Sequence, residues 1–367
     1  IFSFSFTGGR FLTSQWINNV NVVYAAGEQE ENKDPQEEAT NSDKDDSKIE
    51  HSTEDDKVSK EETQHNKELQ QMIELPEDGE YLKPITIEAY GELFIDENEE
   101  EISHEDYENA YVERVDNEDG SHTASLYTKP IKYKDDEGNW IKIDNELEKT
   151  VEGNSTLLKS KASPVTLELP AEHISSSEVT IADGEETISF KPILNKISAK
   201  TDFNAKADVK FIKANDSGKA AVETSELKNN ESYNAVKYEN VFSKESDIVM
   251  QSVSEGVKEE IILNTIPEQE EFSFEFTVSG LTPVLRADNN LFFIDKQQTI
   301  AAVVPAPVMW DSAVEQRESY DIEVSVKKVS DTQFIYTLKP DRQWLEDENI
   351  VYPVTIDPSI KFQRDTA

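Results

Sequence analysis

The chain has no cysteine in its 367 residues. This absence excludes disulfide bonds, thiolate zinc sites and cysteine nucleophiles in one step. The fold must therefore be held by burial of side chains, without covalent cross-links. A cysteine-free chain also suits a protein that crosses a Gram-positive membrane and folds outside the cell.

Basic side chains are scarce: 36 Lys and Arg stand against 77 Asp and Glu, and the formal net charge is -41. Binding of nucleic acid depends on clustered Lys and Arg that release counterions from phosphates, so we expect no nucleic-acid partner. Long apolar runs are missing as well, since none reaches the roughly 20 residues that a bilayer-spanning helix needs. No membrane insertion is expected once a signal peptide has been removed.

The residue types that carry catalysis do not occur in a recognisable arrangement. The five histidines lack the close spacing of a metal motif such as HExxH, and no GxSxG or SxxK context surrounds a serine. The glycine loops GxxxxGKS/T and GxGxxG, which cradle phosphates, are also absent. We therefore predict no catalytic residue, no metal site and no cofactor.

Adjacent acidic residues resemble the paired carboxylates of glycosidases at Asp135-Asp136 and Glu259-Glu260. With 77 acidic residues, however, such pairs arise throughout the chain and discriminate little. Successive residues of a strand also point to opposite faces, so an adjacent pair does not converge on one substrate. Glu259 and Glu260 are predicted to lie on the surface of a hairpin.

The amino-terminal region divides by composition. Residues 1–26 resemble the end of a secretory signal peptide, because Val23-Tyr24-Ala25 fits the small-residue cleavage pattern. An ordinary amphiphilic terminus is the alternative. Residues 27–80 are rich in acidic and polar side chains, and low hydrophobicity with high charge cannot repay the entropy of ordering. We predict a disordered acidic linker there.

Short alternating apolar segments separated by turn residues fill the chain beyond about residue 81, which is typical of antiparallel sheet. Turns are predicted at residues 135–139, at Asp183-Gly184 and at Glu255-Gly256, each between two strands. Phe272, Phe274 and Phe276 stand two apart and should share one face of a sheet. A short helix is predicted after Pro340, with Asp341 as its N-cap.

These patterns predict a mainly β fold: an antiparallel, β-sandwich-like domain or domains built from successive hairpins and preceded by the disordered acidic linker. We divide it into a β-rich lobe at residues 81–200 and a second lobe at residues 201–358. A single β domain is the alternative. Residues 359–367 are predicted to begin a following module.

Exposed aromatic side chains on a β-sandwich can form platforms on which sugars stack. Trp310, which follows Pro305-Ala306-Pro307, is the candidate glycan contact. For Trp140 and Trp344, packing in the core is favoured, because aromatic side chains dominate core energetics.

Several short sequence segments of the chain occur in the same order in one known family. They are residues 127–144, 256–263, 272–276, 280–282, 305–311, 336–340, 344–345 and 351–358. Together they resemble the amino-terminal region of Gram-positive wall-associated proteins of the Rhs or YD-repeat class, and of related secreted proteins with a DNRLRE domain. The resemblance covers about residues 111–358.

In that family the segment precedes a DNRLRE module and YD repeats that encase a variable carboxy-terminal toxin, often a nuclease. The resemblance therefore implies a secreted protein, extracellular or associated with the cell wall. It supplies no catalytic residues for this segment. We expect a non-catalytic structural or display module whose partners are a cell-wall polymer or downstream modules of the same chain. A glycan- or wall-binding module is the alternative, and a secreted hydrolase is the third hypothesis.

Overall fold

The computed structural model of the chain describes residues 74–86, 104–117, 120–172, 174, 177–194, 209–214 and 221–363. Within these ranges the chain is mainly β, and its strands pair antiparallel. The predicted fold class is thereby confirmed. The predicted signal peptide and the predicted linker up to residue 73 lie outside the described residues.

Two short helices and 24 strands make up the described chain. The helices are α1 (His104–Tyr111) and α2 (Arg342–Leu345). The strands are β1 (Val112–Asp116), β2 (His122–Leu126), β3 (Lys132–Lys134), β4 (Trp140–Lys142), β5 (Asp144–Glu152), β6 (Ser155–Ala162), β7 (Thr166–Pro170), β8 (Val179–Asp183), β9 (Glu186–Pro192), β10 (Val209–Ala214), β11 (Ala221–Thr224), β12 (Ala235–Tyr238), β13 (Ser246–Val253), β14 (Gly256–Leu263), β15 (Phe272–Ser279), β16 (Thr282–Leu285), β17 (Leu291–Ile294), β18 (Ile300–Val304), β19 (Val308–Trp310), β20 (Glu318–Ser319), β21 (Ile322–Lys328), β22 (Gln333–Pro340), β23 (Val354–Asp357) and β24 (Ile360–Phe362).

Most strands belong to two large sheets. The eight-stranded sheet has the order β21-β22-β15-β9-β8-β7-β6-β5. The twelve-stranded sheet follows the path β11-β10-β12-β13-β14-β24-β18-β17-β16, and β23, β19 and β20 branch from it. Two small sheets, β1-β2 and β3-β4, are separate. We call residues 104–143, which hold α1 and these two small sheets, the hairpin unit.

The two large sheets pack face to face around one core. Every second residue of β15 is buried, so Phe272, Phe274 and Phe276 share the inner face as predicted. The Phe276 ring stacks on Phe293 of β17 in the other sheet, with 6.3 Å between the ring centres. Apolar side chains from both sheets form a single buried cluster, so the architecture is a sandwich.

The predicted local elements are confirmed. Hairpins β3-β4, β8-β9 and β13-β14 form around the three predicted turns. In the first turn Gly138 has φ of 82°, a conformation that glycine adopts without steric cost. Asp341 caps α2, because its side chain accepts hydrogen bonds from the backbone N–H groups of Gln343 and Trp344.

Strand pairing runs across the boundary that we placed between the two lobes. In the eight-stranded sheet β9 pairs with β15, with Phe190 opposite Phe276. The two-lobe division stays a prediction, and one sheet joins strands from both sides of it.

Near the carboxy-terminal end of the described chain, β24 pairs with β14 and β18 and buries Phe362. Residues 360–362 are therefore part of the sandwich, although we assigned them to a following module.

The predicted linker also extends too far into the fold. Residues 74–86, which we call the strap, lie along the sandwich. Within the strap Leu75 packs against the main core, and the backbone N–H of Gly79 donates to the carbonyl oxygen of Lys328 at 2.8 Å. Packing of the half-buried Leu75 against the core and pairing of the backbone outweigh the acidic composition that placed residues 75–80 in the linker.

Candidate functional site

A cavity of about 350 Å³ lies where the hairpin unit meets the twelve-stranded sheet. One wall comes from the hairpin unit, chiefly Tyr111, Pro130 and Tyr133. The opposite wall includes Val303 of β18 and Lys361 of β24, which are cross-strand partners. Their strand neighbours are buried in the main core, so these two side chains belong to the outer face of the sheet.

Backbone hydrogen bonds fix the shape of the first wall. The N–H of Ile131 donates to the carbonyl oxygen of Ala110 at 2.7 Å, and the N–H of Ile143 donates to that of Ile131 at 2.9 Å. Helix α1 and hairpin β3-β4 are thereby held side by side, although β1 and β2 separate them in the sequence. The two tyrosine rings are brought to the cavity by this arrangement.

An ion pair holds the hairpin unit against the sandwich at the cavity's edge. The Lys129 ammonium lies 3.2 Å from the Glu255 carboxylate, in the β13-β14 turn. The same turn is tied to the loop between β6 and β7, because the Ser163 hydroxyl donates to the carbonyl oxygen of Ser254 at 3.3 Å. Both Ser254 and Glu255 line the cavity, so the contact that anchors the hairpin unit also forms part of the cavity wall.

The cavity combines an apolar interior with a few polar groups. Ile143, Val165 and Val303 contribute aliphatic surface beside the tyrosines. The Lys361 ammonium and the Tyr133 hydroxyl make no hydrogen bond or ion pair to any part of the chain that the structure describes. Concave sites of this size with few polar groups are typical of pockets for small ligands.

Trp310, the candidate glycan contact from the sequence, is not part of this cavity. It is half-buried at the end of β19, opposite Glu318 of β20 and Thr355 of β23. Trp344 is half-buried and packs against the main core from α2, which agrees with the packing role predicted for it. Trp140 is half-buried on the β3-β4 hairpin, where the Lys134 ammonium lies 5.1 Å from the ring centre.

Glu259 was predicted on the hairpin surface, and this prediction is wrong. The residue is buried on β14, on the same inner face as Val257 and Ile261. Its backbone N–H donates to the Ser359 hydroxyl at 3.2 Å, while its Oε1 atom is buried without a hydrogen-bond partner among the described residues. Glu260, one residue later, is half-buried and bonds to Lys258.

The surroundings of Glu259 disfavour the charged form of its carboxyl group. Burial raises the pKa of Glu259 well above the ordinary value, and the charge of Asp357 raises it further. Tyr336, on the facing sheet, has a buried hydroxyl that also lacks a partner among the described residues, and burial raises its pKa. With only 2% of its surface exposed, Glu259 cannot reach a substrate in solution while the sandwich is closed.

Within the ranges described, no three His, Asp or Glu side chains are grouped so that they could hold a metal ion. No helix of the described chain is long and apolar enough to cross a membrane. His122 is exposed, and its Nδ1 lies 2.6 Å from the carboxylate of Asp116 on the paired strand.

Comparison with known proteins gives distant relatives. No family model and no solved structure matches the chain. The chain is 25% identical over 247 residues to the tRNA(Glu)-specific nuclease WapA of Bacillus subtilis subsp. natto. The aligned segment covers 66% of this chain and 10% of that protein. The chain is 29% identical over 131 residues to the tRNA nuclease WapA of Bacillus subtilis strain 168, covering 34% of this chain and 6% of that protein. The chain is therefore distantly similar to WapA tRNA nucleases of Bacillus and spans a tenth of their length or less.

Proposed function

We propose that this chain is a non-catalytic display module in the amino-terminal part of a secreted, wall-associated protein of the Rhs or YD-repeat type, the class of polymorphic toxins. The observation that carries the proposal is the unequal coverage of the match. Two thirds of this chain align with a tenth of a tRNA nuclease, as expected for one module of a long protein. We assign nuclease activity in this class to parts outside the aligned segment.

The construction of the sandwich supports a scaffold role. One buried cluster takes apolar side chains from both sheets, and the buried acid Glu259 is enclosed within it. A fold held by so much burial is a rigid support for other modules. The net charge of -41 opposes contact with tRNA, so the proposed partners are a cell-wall polymer and the downstream modules of the same protein.

Export of a fusion protein tests the display role. The chain, preceded by a complete signal peptide and followed by a reporter enzyme, is expressed in a Gram-positive host, and reporter activity is measured in the wall fraction. We expect wall-associated reporter that depends on a folded sandwich. Gly256→Ala should reduce it, because a Cβ there would lie 2.5 Å from the carbonyl oxygen of Ile360, whereas Gly138→Ala, with open space around its Cβ, should retain it.

Two results would contradict the proposal. One is an unchanged wall-associated signal with Gly256→Ala after unfolding of the sandwich has been verified by circular dichroism. The other is cleavage of tRNA or peptidoglycan by the purified chain that is lost on substitution of a single named residue.

The cavity favours a second candidate function, binding of a neutral glycan. Aromatic rings stack on the apolar faces of sugars, and in this candidate function the Tyr133 hydroxyl and the Lys361 ammonium of the cavity lining bond with sugar oxygens. Calorimetry with di-N-acetylglucosamine tests this candidate. Tyr133→Ala should abolish binding, while Tyr320→Ala, an exposed tyrosine outside the cavity, should leave it unchanged. If Trp310→Ala abolishes binding instead, the glycan site lies at the end of β19 and not in the cavity.

A further inference from the structure

The strap closes the edges of both large sheets at once. Strand β21 ends the eight-stranded sheet, and β16 ends the main path of the twelve-stranded sheet. Tyr81 of the strap forms an antiparallel bridge with Lys327 of β21, and Ile85 forms a parallel bridge with Arg286, directly after β16. We call the groove between these two edges the seam. The strap therefore occupies the seam and satisfies backbone groups that edge strands otherwise leave unpaired.

Specific contacts fit the strap to the β21 side of the seam. The Leu82 N–H donates to the carbonyl oxygen of Val326 at 2.8 Å, and the Lys328 N–H donates to that of Glu80 at 2.9 Å. The Lys328 side chain is 9% exposed, and its ammonium lies 3.1 Å from the Asp78 carboxylate. Leu82 packs against the main core.

The β16 side of the seam receives Ile85. Its N–H donates to the carbonyl oxygen of Leu285 at 2.9 Å, and its own carbonyl oxygen accepts from Ala287 at 2.8 Å. The side chain is 5% exposed and belongs to a small apolar cluster with Val284, Phe292, Ile294 and Val303. This cluster is separate from the main core, so the strap bridges two apolar regions.

These contacts are few compared with those of an inner strand. Only Ile85 of the strap is buried, and Tyr81, Lys83 and Pro84 are exposed. A segment with little buried surface opens at a lower free energy than the core strands. Exchange of an identical element between two copies then makes the same contacts twice, which is a low-cost route to a dimer.

We propose that the seam is a docking site for an extended strand and that a second copy of this chain occupies it by strap exchange. In this dimer residues 74–86 of each copy seal the sandwich of the other. A second copy supplies Asp78, Leu82 and Ile85 at the spacing that the seam accepts. The net charge of -41 opposes the approach of two copies, so exchange increases with protein concentration and with ionic strength.

The absence of cysteine makes a direct cross-linking test possible. Tyr81 and Lys327 form a non-hydrogen-bonded pair, since the flanking bonds join residue 80 with 328 and residue 82 with 326. Such pairs bring the Cα atoms to about 4.5 Å, within the range that a disulfide spans. A full-length Tyr81→Cys chain is mixed with a full-length, differently tagged Lys327→Cys chain and oxidised. Exchange predicts a mixed disulfide dimer on a non-reducing gel.

Three controls give each outcome a meaning. In the first control the Lys327→Cys chain is replaced by a Val314→Cys chain, whose cysteine lies at a fully exposed site that forms none of the bridges or backbone hydrogen bonds described for the strap, to measure cross-linking by random collision. Both seam substitutions in one dilute chain should give a monomeric disulfide, which verifies the register. Adding Ile85→Asp to the Tyr81→Cys chain should reduce the mixed dimer, because an acid cannot occupy the apolar cluster. The proposal holds if the mixed dimer exceeds the Val314→Cys control several-fold, and it is overturned if the two yields are equal.

Discussion

The sandwich and the hairpin unit are held together by different forces. In the sandwich both sheets bury alternate residues of their strands in one core. In the hairpin unit Ala110 is the only apolar side chain that is buried among those described, and Val115 and Leu126 are each 51% exposed. The cavity between them therefore has one wall that is firmly held by burial and one wall that is weakly held.

Ion pairs replace burial in the hairpin unit. Glu113 of β1 accepts hydrogen bonds from the Lys142 ammonium and from the Tyr127 hydroxyl, both at 2.9 Å. These bonds hold the pKa of Glu113 below its ordinary value, and the bond from Lys142 contributes most. Exposed pairs of this kind each contribute at most about 1 kcal/mol and are screened by salt.

The largest contrast is expected from truncating one apolar side chain in each region. Phe274 is buried at the centre of the sandwich, where its ring contacts Phe190 and Phe242. Phe274→Ala should lower the free energy of unfolding by about 3–5 kcal/mol, measured by urea titration. Leu126→Ala, the matched change in the hairpin unit, should change it by less than about 0.5 kcal/mol. Similar losses in the free energy of unfolding for both variants would contradict the proposed difference between the sandwich and the hairpin unit.

Glycine substitutions in the two turns give the next largest contrast. Gly256, in the β13-β14 turn, has φ of 147° and the backbone of Ile360 against it, whereas Gly138, in the β3-β4 turn, has φ of 82° and no atom within 4 Å of an added Cβ. Gly256→Ala should destabilise by about 2–4 kcal/mol through combined strain and overlap. Gly138→Ala should lower stability by only about 1 kcal/mol, from its left-handed backbone. Thermal unfolding of both variants measures the difference, and a larger loss for Gly138→Ala would contradict it.

Two glutamates should respond to pH with opposite signs. The raised pKa of Glu259 means that the folded state binds its proton more tightly, so stability falls as pH rises above the ordinary carboxyl pKa. Glu259→Gln should therefore gain stability over the parent from about pH 5 upward, by at most about 1.4 kcal/mol per pH unit, and the gain should vanish near pH 4.

The lowered pKa of Glu113 has the reverse effect. Its stabilising contribution is present above the ordinary carboxyl pKa and is lost as pH falls through the lowered value. Glu113→Gln should thus match the parent in acid and be slightly less stable at neutral pH. Unfolding free energies of both variants across pH 3 to 8, roughly the range in which carboxyl groups change charge, provide the check. A Glu259→Gln variant that is less stable than the parent at neutral pH would contradict the raised pKa of Glu259.

The smallest effect concerns the Lys142–Glu113 pair itself. Lys142→Met removes the ammonium and keeps most of the aliphatic stem. The free energy of unfolding should fall by less than about 1 kcal/mol at low salt, and the difference should disappear at high salt. Denaturant titrations at both salt concentrations measure this difference in the free energy of unfolding. A loss of stability that persists at high salt would indicate that Lys142 stabilises the fold through burial of its stem and not through its charge.

Local features of this fold were predictable from the sequence because they depend on neighbouring residues. The hairpin at residues 135–139, the alternation of Phe272, Phe274 and Phe276, and the cap at Asp341 each follow from a short pattern. The burial of Glu259 had a usable signal as well. Val257 and Ile261 stand two residues to either side of it, so period-two alternation places the carboxyl on their inner face.

Contacts between distant segments could not be predicted in the same way. The cavity combines residues near 111, 133, 164, 255 and 361, and no local pattern indicates that these meet. The strap has the acidic composition of the preceding residues, and its role depends on the edges of β16 and β21. Pairing of β9 with β15 likewise joins strands whose separation in sequence gives no sign of their contact.

Hydrogen exchange of the full chain under native conditions most directly tests the claim that one burial-held scaffold carries a weakly held hairpin unit. We expect amides of β9 and β15 to exchange slowest and with a common opening free energy, because these strands pair and share the core. Amides of β1 to β4 should exchange faster, and more so at high salt. Separate opening free energies for β9 and β15, or protection of β1 to β4 equal to that of β15, would contradict the account.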